Sequence, residues 1–190
     1  FFRLIFSWKL FVYIFFWFFK FCNIDFFLNQ FQQACKQLRY ANFPVIAAPT
    51  GLAIGGGYEV VAQTDYVVAH SNSVLGLVEP LVGLIPAGGG CKEMLRRWSN
   101  DSKAKEDSFY VSMKVFNILG YALTTDSPSK SKDQKFLGEQ DFMVMSRDRL
   151  IAEADKKIKS VVSKYAPPKE MIFNLPGPKV MPKMIEILEK

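Results

Sequence analysis

The sequence predicts an α/β fold, in which short buried strands alternate with amphipathic helices. Two short apolar runs, "VIAAP" at 45–49 and "DYVVAH" at 65–70, are typical of strands that are covered on both faces. Three glycines at 55–57 separate the first run from a helical pattern that begins "YEVVAQ", and three more at 88–90 precede "CKEMLRRW". With 190 residues, the chain is long enough to bury the core of one domain.

The first regular element is a helix that precedes the first strand. Leu28, Phe31, Cys35 and Leu38 follow one another at spacings of three and four, which places them on one face of a helix. "NFP" at 42–44 then breaks the pattern. The strand, the glycines and the next helix follow in order, and the run "SVLGLVEPLVGLIP" after the second strand is apolar with turn residues in it.

The second half of the chain predicts mainly helices and polar connections. Residues 99–107 predict a charged loop, residues 108–122 a helix, and "TTDSPSKSKDQ" at 124–134 an exposed connection. Residues 146–164 carry the strongest helical pattern, and residues 181–190 predict a short terminal helix. The predicted apolar face of residues 146–164 comprises Leu150, Ile151, Ala154, Ile158, Val161 and Val162.

Residues 1–27 differ in composition from everything that follows. They hold 11 of the 18 phenylalanines, but their longest uncharged run is the ten residues between Lys9 and Lys20, whereas a bilayer span needs about 20. Three interpretations stay open: a segment translated from T-rich DNA in a wrong frame, a helix that lies in a membrane interface, or a native core helix. A secretory signal is disfavoured, because no small-residue cleavage site follows.

Charge and cysteine usage exclude several classes of protein. The net charge is +6, but residues 29–146 carry 11 basic and 11 acidic side chains, so the excess lies at the two ends and predicts no nucleic-acid footprint. Three widely spaced cysteines form neither a disulfide framework nor a metal motif, which predicts a reduced, cytoplasmic protein without a metal site. The single histidine, His70, is expected at the surface or in a hydrogen bond, since no activated nucleophile accompanies it.

The first glycine run indicates a backbone donor site. Glycines between a strand and a helix allow close approach, and the first helical N–H groups there have no partner within the helix. Such groups can stabilise a developing oxyanion, although tight strand–helix packing alone explains the same glycines. A phosphate loop is excluded, because "GLAIGGGYE" lacks the Lys-Ser/Thr pair and carries an acid.

Two glutamates accompany the glycines in unlike surroundings. Glu59 falls in the first turn of the predicted helix, where the helix dipole favours a carboxylate. Glu79 is the one charge in "VLGLVEPLVGLIP", so burial there would raise its pKa and suit it to act as a proton donor. The alternative for Glu79 is an exposed turn residue before Pro80.

These residues resemble the enoyl-CoA hydratase/isomerase (crotonase) family. The resemblance covers residues 27–98, and its specific signature is GGG-x-E followed 20 residues later by a second glutamate. The end, "MSRDRLIAEADKKIKSVVSKYAPP" with "LPGP" after it, resembles the end of the hydratase-like part of bacterial bifunctional 3-hydroxyacyl-CoA dehydrogenases. The implied fold is a partial crotonase spiral of short strands and helices with a helical C-terminal region.

The resemblance also implies roles for five residues. Gly56 would donate its N–H to the thioester oxygen, Glu79 would protonate Cα of a trans-2-enoyl-CoA, and Glu59 would deprotonate the water that attacks Cβ. Ile54 and Gly55, with Gly56, would line the path of the acyl-CoA. Both glutamates together favour a hydratase over an isomerase.

The front of the chain departs from the family pattern. Residues 1–27 lack the segment that supplies the second oxyanion N–H, which predicts a fragment truncated at its N-terminus, and Pro86-Ala87 replaces the family's Pro-Gly. We expect three parts: an atypical segment 1–27, a crotonase-like core 28–145 and a helical extension 146–190.

The predicted function is hydration of trans-2-enoyl-CoA in fatty-acid β-oxidation. The expected partners are the acyl-CoA substrate and further copies in a homotrimer or hexamer, without nucleic acid. No cofactor is expected, apart from NAD if a separate dehydrogenase domain exists. The alternative is a remnant that binds acyl-CoA or a membrane without catalysis.

Overall fold

Two small sheets form the centre of the computed structural model, which describes residues 24–189. In the first sheet, β3 (Tyr66–His70) lies between β1 (Ile46–Ala47) and β6 (Phe142–Val144), and both pairings are parallel. In the second, β4 (Val74–Gly76) pairs in parallel with β2 (Leu52–Ile54) and antiparallel with β5 (Thr124–Thr125). The α/β class that the sequence predicts is therefore confirmed.

Seven α-helices occur in the described part of the chain, together with short 3₁₀ turns. They are α1 (Ile24–Arg39), α2 (Gly56–Ala62), α3 (Gly90–Ser99), α4 (Tyr110–Gly120), α5 (Pro128–Asp133), α6 (Leu150–Val161) and α7 (Met181–Leu188). The 3₁₀ turn that matters for the site is Glu79–Val82, which follows β4 after two residues.

The main core lies where α2, α3 and α4 meet the strands. Tyr58 of α2 is fully buried, and its hydroxyl donates to the carbonyl of Phe136 at 2.9 Å. Arg97 of α3 donates to the same carbonyl at 2.9 Å and to that of Ala62 at 3.3 Å. These bonds join α2, α3 and the 135–137 segment, so the helix that carries Glu59 is fixed from two sides.

A buried ion cluster ties α1 to α3. The carboxylate of Glu93 is 1% exposed and lies 2.7 Å from Nε of Arg96, 3.6 Å from Nζ of Lys92 and 3.9 Å from Nε of Arg39. A buried carboxylate needs such partners, because its desolvation is costly.

The helix α6 packs on the first sheet. Leu150 and Ala154 are buried against Val68 of β3 in a small second core, with Ile46 and Phe142 at its edge. This helix falls within the 146–190 segment that the sequence sets apart as an extension, and here it covers the sheet.

One sequence prediction for residues 124–144 is wrong, and one strand in this range was not predicted. The polar run 124–134 contains β5 and α5, since Ser127 caps the helix and Pro128 begins it, and Ser131 in this run is fully buried. Strand β6 has no signal in the sequence, since "FMV" is too short to show a period.

Among residues 24–189, no helix is long and apolar enough to cross a bilayer. The predictions for 1–27 fall almost wholly outside the described residues.

Candidate active site

The site begins where β2 ends. Ile54 closes the strand and is half-buried, and Gly55 has φ +57° and ψ −133°, a backbone conformation that side chains other than hydrogen disfavour. The Gly55 amide donates to the Gly76 carbonyl of β4 at 2.9 Å, so the turn is tied to the neighbouring strand. Gly56 opens α2, and its N–H therefore has no acceptor within the helix.

Glu59 lies in the first turn of α2 and is 3% exposed. Its Oε1 accepts a hydrogen bond from the Gly90 amide, the first residue of α3, at 2.8 Å. Burial raises the pKa of Glu59 to about 7, the amides of 88–90 oppose this rise, and the neighbouring carboxyl of Glu79 adds to it. Glu59 therefore titrates near neutral pH, and it lies close enough to the carboxyl of Glu79 for the two charges to interact.

Glu79 opens the 3₁₀ turn after β4. Both of its carboxyl oxygens are buried, and neither has a hydrogen-bond partner among the described residues. Burial raises its pKa, and the nearby amides of Glu79 itself and Val78 offset only part of that rise. The exposed-turn alternative for Glu79 is therefore wrong for its carboxyl group, although the residue as a whole is only half-buried.

Parallel pairing of β2 with β4 brings the two glutamates together. Ile54 pairs with Gly76, so both strands end at the same edge, and Glu59 and Glu79 each follow within a few residues. The carboxyl ends of parallel strands are a common place for active sites, because the connections there converge.

The second glycine run encloses Glu59 closely. A Cβ on Gly88 would lie 2.9 Å from Oε2 of Glu59 as well as against Phe31 of α1, and one on Gly90 would lie 3.0 Å from Oε1. Only glycine leaves room for the carboxylate here, and only backbone amides can then reach it. The sequence marks this run but does not reveal that its amides bind Glu59.

Two thiols border the carboxyl pair. Burial raises the pKa of Cys35 on α1 to about 12 and that of Cys91 on α3 to about 11, and the charge of Glu59 adds to both shifts. Both cysteines are free and remain protonated thiols near neutral pH. No group of metal-ligating side chains occurs in the described part of the chain.

His70 takes no part in this site. It ends β3, and its ring nitrogens bond to the Asn72 side chain and, at 3.0 Å, to the Met145 carbonyl. The expectation of a hydrogen-bonded histidine is confirmed.

A separate cleft of about 480 Å³ borders the glycine turn between α1, α3 and residues 170–173. Its lining includes Cys35, Gly88 and Gly89, but none of the five predicted site residues. The carboxyl pair therefore lies outside this cleft.

Taken together, a helix amide without an acceptor in its own helix and two carboxyls with raised pKa values form a candidate acid–base site in an α/β protein. The held carboxylate can accept a proton, the unpartnered carboxyl can donate one, and the Gly56 amide can stabilise negative charge.

Comparison with known proteins places the chain in one family. The enoyl-CoA hydratase/isomerase family matches residues 24–109. A protein named as a 3-hydroxyacyl-CoA dehydrogenase in Bacillus subtilis is 32% identical over 83% of this chain. A crystal structure of an enoyl-CoA hydratase from Polaromonas sp. JS666 superposes with a TM-score of 0.55 at 25% identity, over 70% of this chain and 46% of that one.

The chain belongs to the enoyl-CoA hydratase/isomerase family, which is the crotonase family. It spans 20% of the length of the Bacillus subtilis protein, and 20% of a Rickettsia prowazekii protein named as a fatty acid oxidation complex trifunctional enzyme, to which it is 31% identical over 79% of its own length.

Proposed function

We propose that this chain is an enoyl-CoA hydratase domain that adds water to trans-2-enoyl-CoA in fatty-acid oxidation. The observation that carries the proposal is the pair of buried carboxyls in unlike surroundings: Glu59 is held by the Gly90 amide, and Glu79 has no hydrogen-bond partner among the described residues. Family membership supports the same class of substrate.

In the proposed reaction, Glu59 removes a proton from a water molecule as the water oxygen bonds to Cβ of the substrate. The π electrons move toward the thioester oxygen, where the Gly56 amide stabilises the developing enolate. Glu79 then transfers its proton to Cα, which completes 3-hydroxyacyl-CoA. Exchange of a proton from Glu59 to Glu79 through solvent restores the starting state.

The two environments suit these roles. A general base works best when its pKa is close to the working pH, and the pKa of Glu59 is about 7. An acid must carry a proton before reaction, and burial favours the neutral form of the Glu79 carboxyl. In this proposal, Ile54 and Gly55 at the end of β2 would line the path of the acyl-CoA. Assembly as a homotrimer or hexamer is part of the same proposal.

The test is the loss of crotonyl-CoA absorbance with purified protein, beside Glu79→Gln and the matched variant Glu153→Gln on the surface of α6. We expect Glu79→Gln to lower the rate by at least about 100-fold, since general acid catalysis commonly contributes that much. Glu153→Gln should leave the rate unchanged.

A folded parent protein without hydration would contradict the proposal. If such a protein still binds crotonyl-CoA, and the binding survives Glu79→Gln, acyl-CoA binding without catalysis replaces it. Pelleting with lipid vesicles that depends on residues 1–27 would instead support the membrane-bound alternative.

A further inference from the structure

A buried glutamine faces the second glycine turn from the end of α2. Gln63 comes four residues after Glu59, so both side chains project from the same face of the helical turn. It is fully buried, and its Oε1 has no hydrogen-bond partner among the described residues. A buried amide with an unpaired acceptor is costly and calls for a specific explanation.

The side-chain amide of Gln63 touches both elements of the site. Its Nε2 donates to the backbone carbonyl of Glu59 at 3.2 Å, which anchors the side chain along α2. The same nitrogen lies 2.9 Å from the position that a Cβ on Gly89 would occupy. Gly89 has φ +121°, which any other residue would adopt under strain. The amide therefore fills the space between α2 and the turn.

The position of this turn decides how Glu59 is held. The Gly90 amide donates to Glu59 Oε1 at 2.8 Å, and the amides of Gly88 and Gly89 also favour the ionised carboxylate. Glu59 meets the turn at Gly88 and Gly90, and Gln63 meets it between them, at Gly89. If the space at Gln63 closes or opens, the amides move relative to the carboxylate.

We propose that Gln63 is a positioning residue, whose side-chain amide spaces the 88–90 turn from α2 so that the Gly90 amide stays on the Glu59 carboxylate. Its effect on hydration rests on the proposed function. Its effect on how Glu59 is held rests on the contacts alone.

Three other titratable groups interact with Glu59 from the elements around it. Glu79 on the 3₁₀ turn raises the pKa of Glu59, and Glu59 in turn raises the pKa of Cys35 on α1 and of Cys91 on α3. Substitution of Gln63 leaves all three residues in the chain. A change in the titration of Glu59 therefore reports a change in the turn.

The experiment is a carboxyl-carbon NMR titration of Glu59 in the parent and in Gln63→Ala, with the signal assigned from Glu59→Gln. We expect the pKa of Glu59 to rise by about one unit in Gln63→Ala, because amide hydrogen bonds to the charged form are weakened. We also expect kcat on crotonyl-CoA to fall by roughly ten- to a hundredfold with KM unchanged, as for a misplaced catalytic group.

Two matched variants separate positioning from general destabilisation. Val61→Ala truncates another buried side chain of the same helix. Gln63→Met keeps the side-chain length, and it should recover most of the parent titration. The inference is overturned if Gln63→Ala titrates like Val61→Ala, or if Gln63→Met shows no recovery.

The titration needs no turnover, so the two proposals can fail separately. If the pKa of Glu59 shifts in Gln63→Ala while the parent hydrates nothing, the proposed function fails and the inference holds. If the parent hydrates crotonyl-CoA and the pKa of Glu59 does not shift in Gln63→Ala, the proposed function holds and the inference fails.

Discussion

At the scale of single residues, the buried carboxyls differ in what surrounds them. Glu59 has three glycine amides near it, Glu79 has no hydrogen-bond partner within residues 24–189, and Glu93, one turn along α3 from the glycine run, has three basic side chains. These carboxyls respond differently to pH and to substitution.

Glu59 should make the protein less stable as pH rises from about 4.5 to about 7. Its pKa is 4.5 in the unfolded chain and about 7 in the fold, so in this window the folded state retains a proton that the unfolded state has lost. The difference corresponds to a loss of unfolding free energy on the order of 3 kcal/mol. Urea unfolding at pH 4.5 and at pH 8 should show this loss in the parent but not in Glu59→Gln. Parallel curves for the two proteins would exclude it.

Glu93 should be essential for stability through charge rather than size. Glu93→Gln leaves Arg39, Lys92 and Arg96 crowded without their carboxylate, which should cost about 3 kcal/mol of unfolding free energy. The partly exposed pair Arg149–Glu153 provides the control, because Glu153→Gln should cost less than about 1 kcal/mol. Equal losses in urea titrations of the two variants would contradict the difference.

At the scale of elements, strands β2 and β4 carry the site, and β5 protects the open edge of β4. Gly76 makes the β4–β5 pairing possible. A Cβ there would lie 2.7 Å from the Leu123 carbonyl oxygen and 2.9 Å from Cα of Thr124, which are backbone atoms that cannot turn away.

Gly76→Ala should therefore separate β5 from β4 and lower the unfolding free energy by about 1–3 kcal/mol. Gly57→Ala is the matched control: a Cβ on this helical glycine meets nothing within 4 Å, so the change should be neutral or stabilising by up to about 1 kcal/mol. Hydrogen exchange of the Thr125 backbone amide, measured together with the midpoint of thermal unfolding, would show whether the β4–β5 pairing is lost. A neutral Gly76→Ala would mean that the strand relaxes freely.

The elements with long apolar periodicity were predictable from the sequence, and those set by tertiary contacts were not. The stripe from Leu28 to Leu38 lies within α1, and the pattern 146–164 contains α6. The 124–134 run has too few apolar residues to reveal α5, whose Ser131 is buried only because the core receives its small side chain. The carboxyl pair followed from the motif, but the amides of 88–90 and the contact of Gln63 depend on how α2 meets α3.

At the scale of the whole molecule, one surface stands out. Four large aliphatic side chains follow Glu79 on the 3₁₀ turn and the loop after it, and each is between 48% and 74% exposed; they are Leu81, Val82, Leu84 and Ile85. A contiguous apolar surface of this kind is typical of a contact with another molecule.

We expect this loop to pack against a second copy of the chain, as the proposed oligomer requires. Leu81→Gln with Ile85→Gln should shift the protein toward monomer in sedimentation velocity, because polar side chains would be buried without partners. Ile172→Gln, at a site that is 95% exposed elsewhere on the chain, should leave the distribution unchanged. An unaltered distribution in the double variant would exclude the loop from the contact.

The in-register pairing of β2 with β4 also determines where the chain tolerates a change of length. The position of Glu59 is set by its distance in sequence from Ile54, and that of Glu79 by its distance in sequence from Gly76. One residue inserted after Ile54 would therefore rotate Glu59 about 100° around its helix. The segment between Glu59 and β4 includes β3, the central strand of the first sheet, so most of its length is fixed by packing. The turn after Ser71, between β3 and β4, is different: an extra residue there would lengthen the spacing of the two glutamates in sequence while leaving their spacing in the fold unchanged. The twenty-residue interval can therefore vary at this turn, whereas the two short intervals beside the strands cannot vary.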